Sequence, residues 1–193
     1  MYKFEFELLK YSNKKETGHA GLVGPFGHVT TKLPKTTFWR GKGVTGCSEV
    51  QLDGEHLPHT LYRCDASAVR PTLEMGHLSI EGTEVPFDFN RRAFRNKSRA
   101  LTIRWADRDY RYSVLQLDRR FALERSGAHI GFDRRKSSTG KGTSSFGVGT
   151  GNVDSIDLAL AIIFEEVDTT ALTSLGATSA AINKIYNLPR SNE

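Results

Sequence analysis

The sequence predicts a mainly β protein with α: a closed antiparallel β-barrel of about ten to twelve strands around a central hydrophobic helix near the carboxyl terminus. Three observations predict this fold. Residues 158–164 form an unbroken apolar run, most of the remaining chain is strand-like, and turn residues recur every 8–12 residues over positions 101–132. Because a sheet that closes around a helix buries it on every side, a barrel accounts for all three.

The central helix is predicted over residues 154–168. Asp154 and Asp157 precede the apolar run with the spacing of a capping pair, whose carboxylates accept the free N–H groups of a first helical turn. Such a helix is roughly 21 Å long, which is too short to span a bilayer. A short helix that is apolar all round belongs inside a fold.

The amino-terminal half reads as a series of strands. Residues 2–8 alternate apolar and charged side chains, which indicates a strand with one buried face. Further strands are expected near positions 22–23, 28–31, 36–40, 44–52 and 61–64. Residues 73–89 predict a hairpin with a turn at 81–84, and Pro86 places its second strand at an edge or a bulge, because proline lacks a ladder donor.

Residues 101–132 predict a four-stranded meander. The following stretch, 134–151, is poor in apolar residues and rich in Gly, Ser and Thr; it is expected to be a mobile loop with a brief strand around Phe146 and Val148. Residues 170–188 predict a second, amphipathic helix that Pro189 ends. The domain prediction is therefore a single barrel over residues 1–168, with residues 169–193 packing on its outside.

This order of elements resembles the tubby-like fold shared by tubby proteins, phospholipid scramblases and the plant LURP-one-related family. In those families a closed antiparallel barrel surrounds a hydrophobic helix near the carboxyl terminus, and residues 158–164 match that helix in position and character. The resemblance lies in the pattern of elements over residues 1–168 and carries over no individual binding residue. It implies a module that binds phosphoinositide headgroups.

The charge of the chain is unevenly distributed. Residues 91–136 hold 14 Lys and Arg against 5 Asp and Glu, whereas the whole chain has a net charge of only +5. Such a segment indicates either an anionic partner or arginines on the solvent-exposed face of a sheet. The candidate ligand-binding residues are Arg91, Arg92, Arg95, Lys97, Arg99, Arg134, Arg135 and Lys136. Arginine forks bind phosphate oxygens of lipid headgroups and nucleic acids equally well.

Several stretches of the chain resemble catalytic or metal-binding patterns. Residues 137–144 resemble a phosphate-binding loop, but Arg135 stands where that motif requires glycine. His56, His59, Cys64 and Asp65 are zinc-binding residue types without a standard spacing, so a surface loop is expected. Cys47 is a candidate nucleophile that lacks an evident base.

Glu165, Glu166 and Asp168 follow the apolar run. They are expected to mark the point where the helix regains solvent; the alternative is a set of paired carboxylates at the barrel mouth.

The sequence thus predicts a non-enzymatic binding module, without a cofactor or metal, for a phosphoinositide, another phosphate-bearing ligand or an anionic membrane surface. A nucleic-acid-binding protein using the same arginines is the alternative, followed by a small hydrolase. The amino terminus lacks the apolar core of a signal peptide, so a cytoplasmic location is expected, with peripheral membrane contact as an option. Cys47 and Cys64 are then expected to be reduced thiols.

Overall fold

The computed structural model describes residues 2–35, 48–64, 70–90, 99–136 and 143–173. Within these residues one antiparallel sheet of thirteen strands curls into a nearly closed barrel, and there is one α-helix. The mainly β barrel predicted from the sequence is confirmed at this level. The strands are β1 (Lys3–Ser12), β2 (Glu16–Leu22), β3 (His28–Pro34), β4 (Ser48–Gly54), β5 (Thr60–Cys64), β6 (Gly76–Ile80), β7 (Thr83–Val85), β8 (Phe87–Phe89), β9 (Leu101–Trp105), β10 (Arg108–Gln116), β11 (Arg120–Arg125), β12 (Ala128–Lys136) and β13 (Thr143–Gly151).

The two edges of the sheet meet through the chain itself. The strand order is β7-β6-β5-β4-β3-β2-β1-β13-β12-β11-β10-β9-β8, so β7 and β8 form opposite edges. Only Pro86 separates these two strands in sequence, and its carbonyl oxygen accepts a hydrogen bond of 3.0 Å from the backbone N–H of Arg104 on β9. Because the edges are consecutive in the chain, the sheet has to return on itself.

The strand number exceeds the predicted ten to twelve. Residues 85–89 were expected to form one strand, but Pro86 divides them between β7 and β8. Its missing N–H removes the bond that would have continued a ladder. The expectation that this proline marks an edge is confirmed, since it stands where the sheet has both of its edges.

The prediction of a mobile loop over residues 134–151 is wrong for the described part. β12 continues to Lys136, and β13 is a nine-residue strand paired with both β1 and β12. Its inward positions include Gly147 and Gly149, where an added Cβ would lie 2.1 Å from the ring of Phe6 and 2.4 Å from that of Phe4. The strand needs few apolar residues of its own because the rings of Phe4 and Phe6 on the neighbouring strand β1 pack over its glycines.

Helix α1 spans Ser155–Ile163 and begins at the predicted capping pair. The Asp157 N–H donates to the Asp154 carboxylate at 3.0 Å, and the Asp154 N–H donates to that of Asp157 at 2.9 Å. The helix ends five residues before the predicted position 168. Glu165 and Glu166 donate their N–H groups to carbonyls three residues earlier, which tightens the chain into a turn that leaves the helix.

The side chains of α1 belong to the hydrophobic core. Residues 158–164 are all completely buried, and the helix contacts β4, β5, β11 and β12. The ring of Phe164 packs 5.8 Å from that of Tyr62 on β5 and 5.3 Å from that of Tyr112 on β10, two strands far apart in the sheet order. Burying a large apolar side chain of this kind contributes about 1.5–3 kcal/mol.

Some predicted elements lie outside the described residues, namely the strand at 36–40, the start of the strand at 44–52, and most of the helix at 170–188. The described beginning of that last segment, Thr170–Leu172, is one turn of 3-10 helix, and the Leu172 side chain is buried. Among the described helices none has the length and apolar content needed to cross a membrane.

Candidate functional site

The two ends of the barrel differ in charge. We call the end at which α1 terminates the cationic end; β1, β3, β10 and β12 finish there, and β2 and β13 begin there. Its described cations are Lys10, Lys14, Lys15, Lys35, Arg70, Arg119, Arg120, Arg134, Arg135 and Lys136, and it also carries the carboxylates of Glu16, Asp118, Asp133, Glu165 and Glu166. The opposite end, where α1 begins, carries the carboxylates of Asp53, Glu55, Glu81, Glu84, Asp107, Asp109, Glu124, Asp154 and Asp157, together with the cations Lys3, Arg104, Arg108 and Arg125.

A cavity of about 720 Å³ opens at the cationic end. We call it the mouth cavity. Its lining combines four cations, one carboxylate, one imidazole, three hydroxyl side chains and two apolar side chains. These residues are Lys10, Ser12, Thr17, His19, Leu33, Pro34, Lys35, Arg70, Arg134, Thr143 and Glu166.

Side chains point alternately to the two faces of each strand, and this alternation places the lining residues at the cavity. Phe4, Phe6 and Leu8 on β1 are buried in the core, and the same face continues with Lys10 at the cavity. On β12 the buried Phe132 is followed on its face by Arg134. Because side chains alternate with a period of two, the inward faces of β1 and β12 change from apolar to cationic as these strands reach the barrel end.

Glu165 lies beneath the mouth cavity and is completely buried. Its Oε2 accepts hydrogen bonds from Arg134 Nε at 2.9 Å and from the Ser145 hydroxyl at 2.7 Å. Its backbone oxygen accepts from Arg134 Nη2 at 2.7 Å and from Arg70 Nη2 at 2.6 Å. Arg134 thus binds one oxygen of the carboxylate, both guanidinium groups satisfy a free carbonyl beyond the end of α1, and Glu165 Oε1 is buried without a partner among the described residues.

Glu166 faces the cavity but is already held by the barrel wall. Its Oε1 lies 2.6 Å from His19 Nδ1 and accepts a hydrogen bond of 2.6 Å from the Thr31 hydroxyl. Burial would raise the pKa of Glu166, but the bonds from His19 and Thr31 and the nearby charge of Arg70 outweigh it, so the pKa lies below its ordinary value. Glu166 therefore stays ionised and supports the wall.

The expectation that these two glutamates mark where the helix regains solvent is wrong. Glu165 and Glu166 are among the most buried charged residues described. They remain inside because Arg134, Arg70 and His19 compensate their charges within the fold. Their position at the barrel mouth matches the alternative, although their partners make them structural.

The cavity retains cations whose charge is not neutralised in this way. The ammonium group of Lys10 forms no ion pair or hydrogen bond with the residues that the structure describes, and the same holds for that of Lys136 beside the cavity. Lys35 donates to a backbone carbonyl, that of Asn13. These ammonium groups can therefore bind an anion at the mouth without first breaking an ion pair.

The structure separates the predicted ligand-binding residues. Arg134 lines the mouth cavity, and Lys136 lies opposite Thr143 at the cavity rim. The guanidinium of Arg135 stacks over the ring of Phe146 at 3.9 Å. Arg99 is 4% exposed and donates to the carbonyl of Thr173 at 2.6 Å, a contact that joins the segment before β9 to the last described residue. The other four, Arg91, Arg92, Arg95 and Lys97, lie outside the described residues.

Sequence reasoning missed Lys10, His19, Lys35 and Arg70. For Lys10 a signal was present, because it continues the apolar face of β1 with a cation. Arg70 precedes a proline outside any strand, so no periodicity points to it.

The described residues do not assemble the metal-binding and nucleophile patterns that the sequence contains into a site. No group of three or more His, Cys, Asp or Glu residues could hold a metal ion in the part of the chain that is described. His59 lies against Asp53 at 3.1 Å, and the buried Cys64 thiol donates to the carbonyl of Glu74. Cys47, Asp65 and most of the predicted phosphate loop fall outside the described residues.

Comparison with protein-family models, with curated proteins and with solved structures finds no match to this chain. The cavity and its charges therefore carry the functional argument.

Proposed function

We propose that this protein is a binding module in which a tubby-like barrel encloses helix α1 and presents its cationic end to an anionic membrane surface. The enclosure is supported by the complete burial of residues 158–164 and by the rings of β5 and β10 that contact Phe164. The observation that carries the function is the cationic end itself, with lysines that lack carboxylate partners there.

The β10–β11 hairpin supports a membrane as the partner. Its tip lies at the cationic end, and there Leu115 and Leu117 are 63% and 36% exposed. Arg120 begins the next strand and is also exposed. Apolar side chains flanked by exposed cations suit the boundary between lipid headgroups and acyl chains.

Electrostatics give the expected strength of the contact. A cation near an anionic membrane contributes about 1 kcal/mol, and this contribution falls as salt screens the surface. Three exposed cations at one end therefore change membrane affinity on the order of 100-fold.

Cosedimentation with vesicles of phosphatidylcholine and phosphatidylserine tests the proposal. The variant Arg120→Ala/Arg135→Ala/Lys136→Ala should lose about 100-fold in affinity. The control Lys3→Ala/Lys32→Ala/Arg104→Ala removes the same charge from cations that are each paired with a carboxylate and do not line the mouth cavity, and it should bind like the unmodified protein.

Equal losses in both triple variants, or no salt-dependent binding at all, would overturn the proposal. The same arginines would attract nucleic acid, so oligonucleotides are assayed in parallel. Retention of an oligonucleotide with a steep salt dependence, without vesicle binding, would favour the nucleic-acid alternative instead.

A further inference from the structure

We infer that the mouth cavity binds one phosphomonoester group, with Lys10 and Lys35 as its cationic ligands. The inference rests on the proposed function, because it names the chemical group that the cationic end would bind. It concerns the cavity and not the outer rim formed by Arg120, Arg135 and Lys136.

Charge balance points to a dianion. The lining has four cations, Glu166 is its carboxylate, and Glu165 lies directly beneath. The two carboxylates balance two of the cations, which leaves about two positive charges unmatched. A phosphomonoester carries about −1.5 to −2 charges near neutral pH, so it matches this excess. A phosphodiester or a carboxylate carries a single charge and would leave a cation unmatched.

The donors are of the kinds that bind phosphate. The ammonium group of Lys10 has no described partner, and that of Lys35 donates to the backbone oxygen of Asn13. Arg70, by contrast, is held by the backbone oxygens of Glu165 and Glu166 and lies 3.8 Å from the Glu166 carboxylate. Ser12 and Thr143 place hydroxyl groups beside the lysines. Ammonium groups bind phosphate as point charges, and hydroxyl groups donate to the oxygens that remain.

Size and polarity indicate that the phosphate is part of a larger molecule. A cavity of about 720 Å³ lies within the range of small-molecule sites and exceeds what a lone phosphate fills. Leu33 and Pro34 form an apolar part of its wall. The shared chemistry is therefore a phosphomonoester on a partly apolar body, from a lipid headgroup or from a free phosphate ester.

Isothermal titration of the full chain with two short-chain lipids tests the charge argument. Dihexanoyl phosphatidic acid presents a phosphomonoester, and dihexanoyl phosphatidylglycerol presents a phosphodiester, each used below its micelle concentration. We expect one phosphatidic acid per chain, bound at least tenfold tighter than phosphatidylglycerol. Lys10→Ala should weaken it on the order of tenfold, as expected for a lost hydrogen bond to a charged group.

Lys3→Ala is the matched control. Lys3 lies at the other end of the same strand, and its replacement removes the same charge as Lys10→Ala. Thermal unfolding of both variants verifies that each is folded. Glycerol 3-phosphate distinguishes the sources: weaker binding than phosphatidic acid assigns the lipid, and equal binding assigns a free ester.

The inference is overturned if phosphatidylglycerol binds as tightly as phosphatidic acid, if neither binds, or if Lys3→Ala and Lys10→Ala lose equal affinity. Phosphatidylserine vesicles separate this failure from that of the proposed function. Vesicle binding that depends on the rim triple variant, without any phosphomonoester binding, would leave the proposed function standing and remove only the cavity site.

Discussion

Arg134 and Glu165 are joined twice: Nε of the guanidinium lies 2.9 Å from the carboxylate Oε2, and Nη2 lies 2.7 Å from the backbone oxygen of the same residue. One arginine thus pairs with a completely buried charge and also binds a free carbonyl beyond the end of α1. The pair ties β12 to the end of the helix at the floor of the mouth cavity.

Removal of one partner from this pair should be costly. Arg134→Met leaves the Glu165 carboxylate buried without its cation, and we expect a loss of about 3–5 kcal/mol in the free energy of unfolding, measured by urea denaturation. The double variant Arg134→Met/Glu165→Leu should recover most of that loss, because no buried charge is left without its partner.

Arg135→Met is the control for this pair. Arg135 is exposed and stacks on Phe146, so its replacement should cost no more than about 1 kcal/mol. If the double variant is as unstable as Arg134→Met, the loss of stability comes from packing of the aliphatic part of the Arg134 side chain and not from the unpaired Glu165 carboxylate.

Glu166 should make stability depend on pH at the acid side. Its pKa is below the ordinary value in the folded protein, so its contribution is present above the unfolded pKa and is lost as the pH falls through the folded pKa. In Glu166→Gln the decline in unfolding free energy below about pH 5 should be shallower than in the unmodified protein. Chemical denaturation at a series of pH values measures this slope.

The same variant should also be less stable at pH 7, by about 1–3 kcal/mol, because His19 and Thr31 lose a charged acceptor. If the unfolding free energy of the two proteins falls equally steeply at acidic pH, the pKa of Glu166 is the same in the folded and unfolded states, which would contradict this prediction.

Much of the fold follows from local sequence signals. The Asp154–Asp157 spacing identifies the start of α1 because a capping box uses only residues three apart. The meander over β9–β12 is evident because each strand alternates around short turns. Such signals need no knowledge of which strands become neighbours.

The features that sequence reasoning missed depend on tertiary neighbours. β13 looks like a loop because Gly147 is complemented by Phe6, which stands near the other end of the chain. The mouth cavity joins Lys10, Arg70 and Glu166 from separate segments. Only the closure of the sheet brings them together, and no spacing in the chain encodes that closure.

The complementarity of Gly147 and Phe6 can be measured directly. A Cβ at position 147 would lie 2.1 Å from the Phe6 ring, so Gly147→Ala should cost about 1–3 kcal/mol in unfolding free energy. The double variant Gly147→Ala/Phe6→Leu should lose less unfolding free energy than the two single variants together, by about 1 kcal/mol or more, because the smaller leucine side chain leaves room for the new methyl group.

Gly131→Ala provides the comparison on the neighbouring strand. There an added Cβ meets only the edge of the exposed His129 ring, at 3.3 Å, and stability should change little. Strict additivity of Gly147→Ala and Phe6→Leu would contradict the assignment of these two residues as complementary.

The central claim is that phosphate groups bind at the cationic end. A titration of the ¹⁵N-labelled chain with dihexanoyl phosphatidic acid, followed by amide chemical shifts, tests it most directly. We expect the shift changes to concentrate at Lys10, Ser12, His19, Lys35 and Thr143 and to saturate together with one dissociation constant. Shifts confined to the opposite end, around Asp53 and Asp107, or an unchanged spectrum, would contradict the account.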